Sequence, residues 1–223
     1  MQPVNAPFHE IEYWIFDLDN TLYPAACDLF SQIDVRMTSF IAGHLGIGRV
    51  EARLLQKRYY RDHGTTLAGL MVNDGVHPSA FLDYVHDIDV TPVPPSPALR
   101  DALERLPGRR YVFTNGSRTH AENVMTRLGV MDSFDGIYDI IAAEYRPKPA
   151  PEPYDDMIDR FGIDPGRAVM VEDLHRNLKP AHDLGMRTVL IRTERHPPAL
   201  EDEDHIHHVA DDLLAWLHDI LPG

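Results

Sequence analysis

An apolar run that breaks abruptly into two aspartates constrains this chain more than any other stretch. Residues 11–16, mostly β-branched and aromatic, read as a buried strand, and Asp17 and Asp19 follow it directly. Asn20, Thr21 and Pro24 then read as a turn. The i, i+2 spacing near a strand end puts both carboxylates on one side. In a parallel α/β sheet, the crevice beyond the carboxyl ends of the strands is where chemistry collects. Two convergent carboxylates there can bind Mg²⁺, attack an electrophile, or divide acid and base work. An isolated Asp-x-Asp pair reads more readily as a turn cap.

Past the turn the pattern changes. Leu29, Ile33, Met37, Phe40 and Ile41 fall at helical spacing, with Gly43, Gly46 and Gly48 marking the end of that helix. Residues 50–60 give a second helix and 67–72 a short apolar piece. Pro78 opens another helix through Phe81, Leu82 and Val85. No strand is expected between residues 23 and 90. The Pro-rich stretch 91–97 is a stiff boundary. Beyond it, strands expected at 110–113, 136–140, 168–171, 188–191 and 207–209 alternate with helices at 98–106, 119–128, 151–161, 177–184 and 211–221. Residues 1–10 read as a loose lead-in and 194–206 as an acidic, His-bearing loop. The alternation predicts an α/β fold: a doubly wound, parallel, Rossmann-like core of residues 1–22 and 91–223 with right-handed crossovers. The interruption predicts an inserted, all-helical cap of residues 23–90 beside the crevice where the first strand ends.

Charge and cysteine usage narrow the partners. The net charge of −14, from 21 Lys and Arg against 35 Asp and Glu, argues against a surface that tracks polymeric nucleic acid. It leaves room for a small phosphorylated ligand, because a bound cation inverts the local sign. The single Cys27 excludes an intramolecular disulfide and fits a reducing cytoplasm. No secretory signal is expected and no run approaches membrane-spanning length. The 223 residues suit one large domain or a core with a satellite. Oligomeric state is not legible.

Four strand ends or following loops carry polar signals that the fold would bring to one sheet edge: Asp17 with Asp19, Thr114-Asn115-Gly116, Lys148, and Glu172-Asp173. Together they describe a phosphoryl-transfer site. An aspartate nucleophile splits hydrolysis into two easier steps through an acyl phosphate. Mg²⁺ held by a few carboxylates shields that nucleophile from the charge of the phosphate. A hydroxyl and backbone N–H groups at a turn into a helix suit phosphate oxygens. A lysine offsets the charge of the transition state, and Gly116 permits close backbone approach.

In this order the four signals resemble the haloacid dehalogenase-like superfamily over nearly the whole chain. Asp17-Leu18-Asp19-Asn20-Thr21 looks like its first motif, Thr114-Asn115-Gly116 its second, Lys148-Pro149 its third, and Val171-Glu172-Asp173 with Asn177 its fourth. An insertion between the first two motifs fits the helical-cap class. The resemblance implies that Asp17 is the nucleophile and that Asp19 is the general acid and base. It makes Thr114, Asn115, Gly116 and Lys148 the phosphate-binding group, and Asp17, Asp173 and the Asp19 carbonyl the Mg²⁺ ligands. Glu172 departs from the commoner Gly or Asp, leaving it a ligand, a support behind the ligands, or a solvated bystander. Asn177, at a position often acidic in relatives, is a support only.

Dehalogenating relatives lack an aspartate at the position of Asp19, so its presence implies phosphate esters. Asp17 to Pro24, Gly64 to Leu70, Tyr84 to Asp89 and Thr114 to Ala121 are similar to the pyrimidine 5′-nucleotidases. The expected substrate is therefore a small phosphorylated metabolite, a pyrimidine nucleoside 5′-monophosphate first. A phosphatase or phosphomutase for a sugar phosphate, and a regulatory binding protein on the same scaffold, are the alternatives. His63, His77 and His86 lie where they could touch a base or ribose but read better as surface or helix-end residues. Arg58, Tyr59, Tyr60 and Arg61 read better as a solvated helix face than as a substrate cover. His205, His207 and His208 read as an exposed loop rather than a metal site. Met125, Met131 and Met157 read as core filler.

Overall fold

The computed structural model of the chain describes residues 8–193 and 204–221. Most of the lead-in at 1–10 and of the acidic loop at 194–206 lies outside them. Among the described residues six strands form one sheet: β1 (Tyr13–Phe16), β2 (Arg109–Phe113), β3 (Gly136–Tyr138), β4 (Ala168–Glu172), β5 (Arg187–Ile191) and β6 (His208–Ala210). Every neighbouring pair is parallel and the order is β3-β2-β1-β4-β5-β6. That is the doubly wound arrangement expected from the alternation.

Strand alternation builds two cores, one on each face. Trp14, Phe16, Val112, Val169, Val171, Val189 and Ile191 point into one core. Ile15, Tyr111, Phe113, Met170 and Leu190 point into the other. The first is covered by α5 (Pro97–Arg105), α6 (Arg118–Leu128) and α9 (Leu213–Ile220); the second by α7 (Glu152–Phe161) and α8 (His175–Asp183). Burial on both faces explains why these strands read as near-continuous apolar runs. Ile15 and Phe16 are fully buried, and each such side chain contributes about 1.5–3 kcal/mol. Met125 and Met157 are buried in these cores and Met131 packs against one, as core filler should.

Between β1 and α5 the described chain forms α1 (Leu29–Leu45), α2 (Arg49–His63), α3 (Thr66–Asp74) and α4 (Pro78–Val85). They bury their own cluster, including Ile33, Ile41, Tyr59, Leu70, Phe81 and Val85, joined by Ile140 from beyond β3. The short apolar piece expected at 67–72 is a full helix, because the Thr65 hydroxyl accepts from Ala68 N–H and caps its first turn. Gly43 lies inside α1 rather than at its end; the helix stops at Gly46, whose φ of 66° is left-handed. Tyr59 is buried in this cluster rather than solvated.

Candidate active site

The carboxyl ends of β1, β2 and β4 are neighbours, and each delivers a polar group. Asp17 follows β1, and its N–H donates to Val171 O at 2.9 Å, carrying the strand pairing one residue further. The chain then turns through Asn20, at φ 64°, a conformation Asn tolerates better than most residues. Thr114 follows β2, and its hydroxyl accepts from Gly116 N–H at 2.9 Å, closing a tight turn into α6. Glu172 ends β4 and Asp173 follows it.

Lys148 arrives from the loop after β3 and is 1% exposed. Its ammonium donates to Asp17 Oδ1 at 2.7 Å, Phe113 O at 2.7 Å and Glu172 Oε1 at 2.8 Å, which uses all three N–H groups. The Asn115 side chain holds this loop: its Nδ2 donates to Lys148 O at 3.1 Å and its Oδ1 accepts from Lys148 N–H at 2.8 Å. Asn115 thus enters the site by fixing the lysine, with its carboxamide already committed. Glu172 is also 1% exposed, which excludes the solvated bystander. Its Oε1 accepts from Lys148 and from Asn177 Nδ2 at 2.6 Å, and its Oε2 from Leu174 N–H at 2.7 Å. It pins both the lysine and the turn into α8.

Asp17, Glu172 and Asp173 are buried, and each offers an oxygen within 4.8 Å of the others. One ammonium against three carboxylates leaves an excess of two negative charges when all are ionised. Burial, then the neighbouring Glu172 and Asp19, push the Asp17 carboxyl up to about 7 despite Lys148. Burial, then Glu172 and Asp17, push Asp173 up to about 9. Burial alone would lower Lys148, but Asp17 and Glu172 outweigh it and hold the ammonium well above its ordinary value. The lysine is therefore a fixed cation, and the Asp17 and Asp173 carboxylates are disfavoured unless another cation joins them. An all-oxygen donor set with this surplus suits a hard divalent ion. Asn177 Oδ1, buried with no hydrogen-bond partner among the described residues, adds a further oxygen to the same corner.

Asp19 is held differently. Tyr23 OH donates to its Oδ1 at 2.5 Å, and His120 Nε2 lies 2.8 Å from the same oxygen. Burial works to raise this carboxyl, but the charge and hydrogen bond of His120, with the Tyr23 bond, bring it down to about 2. Burial works to lower His120, and Asp19 overrides it upward. Each group of the pair thus favours the charged form of the other. His86, at the C-terminal end of α4, stacks on His120 with centroids 4.7 Å apart and planes at 15°. Its Nδ1 lies 2.8 Å from Ser117 Oγ, and burial followed by the charge of His120 depresses it to about 3.

A cavity of about 580 Å³ separates this edge from the inserted helices. Asp17, Asp19, Thr114, Gly116, Lys148 and Asp173 line its floor; Ile33, Met37, Leu67, Phe81 and Leu82 line its apolar wall; Gln56 and the Asp34–Arg53–Lys57 ion cluster add polar groups. Arg176 Nη2 donates to Tyr60 OH at 2.6 Å, a strap from α8 to α2. The structure thus brings Asp17, Asp19, Thr114, Gly116, Lys148 and Asp173, the polar groups singled out from the sequence, to one cavity floor. Sequence reasoning undervalued His86 and Tyr60, which line the cavity, and missed His120 entirely. His63 and His77 pair instead with Asn73 and Ser79. His207 pairs with Thr188 and His205 with His175 O. Among the described residues the Asp17–Glu172–Asp173 group is the one metal-competent cluster.

The model of a haloacid dehalogenase-like hydrolase family matches residues 11–185. Phosphate metabolism protein 8 of Saccharomyces cerevisiae is 28% identical, over 93% of this chain and 70% of the relative. Among solved structures, a haloacid dehalogenase-like phosphatase from Thermococcus onnurineus superposes with a TM-score of 0.64 at 19% identity, covering 92% of this chain and 96% of that one. The L-2-haloacid dehalogenase of Xanthobacter autotrophicus superposes with a TM-score of 0.58 at 17% identity, covering 93% and 97%. The two structural likenesses speak to the fold alone. No helix among the described residues is long and apolar enough to cross a membrane.

Proposed function

The chain belongs to the haloacid dehalogenase-like hydrolases, and on that footing we propose that it is a Mg²⁺-dependent phosphomonoesterase acting on pyrimidine nucleoside 5′-monophosphates. The observation that carries the choice between phosphate esters and haloacids is Asp19, a second carboxylate held beside Asp17 by two donors on one oxygen. A departing halide needs no proton, whereas an alkoxide does. The yeast relative, named for phosphate metabolism, points the same way.

Asp17 attacks phosphorus and becomes the acyl phosphate. Lys148, a fixed cation on Asp17, offsets charge on the transferring group, and Thr114 with the turn at Gly116 receives the phosphoryl oxygens. Asp19 delivers a proton to the leaving oxygen and then takes one from the attacking water. It is ionised in the resting site, so the first proton comes from the pair it forms with His120 or arrives on a substrate monoanion. The carboxylates of Asp17 and Asp173 and the carbonyl of Asp19 would hold Mg²⁺, which when bound supplies the neutralisation that lets a phosphate dianion approach.

The inserted helices act as a cap, with residues 23–90 choosing the leaving group. A cavity of about 580 Å³ with an apolar wall is ample for a nucleoside monophosphate. The test is phosphate release with Mg²⁺ from p-nitrophenyl phosphate, then from a panel of nucleoside monophosphates and sugar phosphates. Pyrimidine nucleotides should lead. A sugar phosphate at the head of the panel would move the assignment to the alternative substrate class, and no release from any ester would leave a binding protein.

A further inference from the structure

Beyond sharing a proton with Asp19, the phosphomonoesterase reading gives His120 no task, although its imidazole is 1% exposed and is aimed at the cavity floor. We propose that His120 is a positioning residue that orients the carboxylate of Asp19, and that His86 makes this orientation depend on contact between the cap and the core. The inference rests on the reading of Asp19 as acid and base.

The geometry is specific. Asp19 presents one oxygen, Oδ1, to two donors, the Tyr23 hydroxyl and His120 Nε2. Two bonds to one oxygen fix the carboxylate plane, which a single bond leaves free to rotate. The other oxygen, Oδ2, is then directed toward the turn at Thr114 and Gly116, where it lies 3.8 Å from the point at which a Cβ on Gly116 would stand. A histidine kept only for packing has no reason to aim its nitrogen at the one carboxylate that must deliver a proton. Nδ1 of the same ring is buried without a hydrogen-bond partner among the described residues, so the side-chain hydrogen bonding seen for this imidazole is to Asp19.

What holds the ring comes from two parts of the chain. Ser117 caps α6 through the N–H of His120 itself, at 3.3 Å. The Ser117 hydroxyl also meets His86 Nδ1 at 2.8 Å, and the His86 ring lies flat on His120. His86 closes α4, the last inserted helix. Withdrawal of the inserted helices would remove both the stacked ring and the partner of Ser117, and the His120 ring would be free to turn. The acid–base group would be fully oriented only when the cap is seated over a substrate, which limits loss of the acyl phosphate to water in an open site.

The experiment compares an alkyl ester, uridine 5′-monophosphate, with p-nitrophenyl phosphate, whose leaving group departs without a proton. The readouts are single-turnover phosphorylation of the enzyme by each and thermal unfolding of each variant. Asp19→Asn is the reference, with general-acid losses of about 10²–10⁴-fold on the alkyl ester alone. His120→Phe keeps a ring but no donor and should lose about 10–100-fold on the alkyl ester, within that range, and under about 3-fold on the nitrophenyl ester. His120→Gln, whose amide reaches as far as Nε2, should recover much of the loss, and His120→Asn should not. His86→Ala should show the same split, smaller. If Asp19→Asn itself affects both esters alike, the acid–base reading falls first. If Asp19→Asn splits them while the folded His120 variants do not, the positioning role is overturned and the parent reading survives. If His120 variants split them and His86→Ala does not, the link to the cap is overturned.

Discussion

Replacing Gly69 with alanine sets two known effects against each other, and the structure decides the sign. Gly69 lies inside α3, where alanine would ordinarily gain about 1 kcal/mol of helix propensity. A Cβ there would stand 2.3 Å from Tyr59 Cγ and 2.4 Å from Tyr59 Cβ. Carbon atoms in contact sit about 3.5–4.0 Å apart, so α2 and α3 would have to separate by more than an ångström. Tyr59 cannot swing clear, because the atoms in the way are next to its own backbone. Overpacking of this kind costs about 1–3 kcal/mol. Displacing Tyr59 also endangers its 2.8 Å hydrogen bond to Asp74, a further cost of about 1 kcal/mol. The net expectation is a loss of about 1–3 kcal/mol, which lowers the unfolding midpoint by roughly 3–10 °C in a chain of this size. Because Thr65, Thr66 and Leu67 at the start of α3 line the cavity, kcat/KM for a nucleotide should fall more than for p-nitrophenyl phosphate. Thermal unfolding followed by circular dichroism, with both substrates assayed on the same preparation, measures each part. An unfolding midpoint equal to or above that of the parent would show that the helices accommodate the methyl group and that the steric argument is wrong.

Other expectations follow from the same geometry. Chelation should abolish phosphatase activity and Mg²⁺ restore it; the ion should also raise the unfolding midpoint of the parent and not of Asp173→Asn, and turnover in a verified metal-free preparation would refute the assignment. Asp17→Asn should abolish chemistry, while Asp19→Asn mixed with p-nitrophenyl phosphate should accumulate a phosphoryl adduct on the peptide containing Asp17, read by quenched mass spectrometry; an adduct elsewhere would separate the roles differently. Burial works to raise Asp34, but hydrogen bonds from Lys57 and Arg53 hold its carboxyl below the ordinary 3.8. The stability it contributes is thus present above that value and lost as pH falls through the folded one. Asp34→Asn should accordingly unfold at lower urea than the parent at neutral pH, with the gap closing in acid; a gap independent of pH would place its contribution in packing.

The sheet was readable because its strands are buried on both faces, so that runs such as Ala168 to Val171 carry little besides apolar residues. Most of the floor was readable for a related reason: its polar groups, Lys148 apart, stand where such a run stops. What stayed hidden depended on distance along the chain. His120 is 101 residues from Asp19, and nothing local marks a histidine on the inner face of α6 as different from a packed one. Glu172 was ambiguous because Lys148 reaches it from the loop after β3 and Asn177 only when the β4 turn closes. Asn115 looked like a phosphate ligand by its position in a turn, yet the loop carrying Lys148 claims its side chain. The helix at 66–74 read only as an apolar piece because it is short and its apolar residues are nearly contiguous; the Thr65 cap was the available signal.

Placing the nucleophile on the first strand has a consequence for how the protein is made. Phe16 pairs with Val112 on one side and Val171 on the other, so β1 emerges from the ribosome with neither neighbour yet synthesised. The second arrives about 150 residues later, which at roughly 5–20 residues per second is on the order of ten seconds or more. Through that interval Trp14, Ile15 and Phe16, each at most 1% exposed in the finished fold, have no sheet to enter. The same strand that organises the catalytic edge therefore waits longest for its second neighbour, and a slower message between codons 17 and 171 would lengthen that wait.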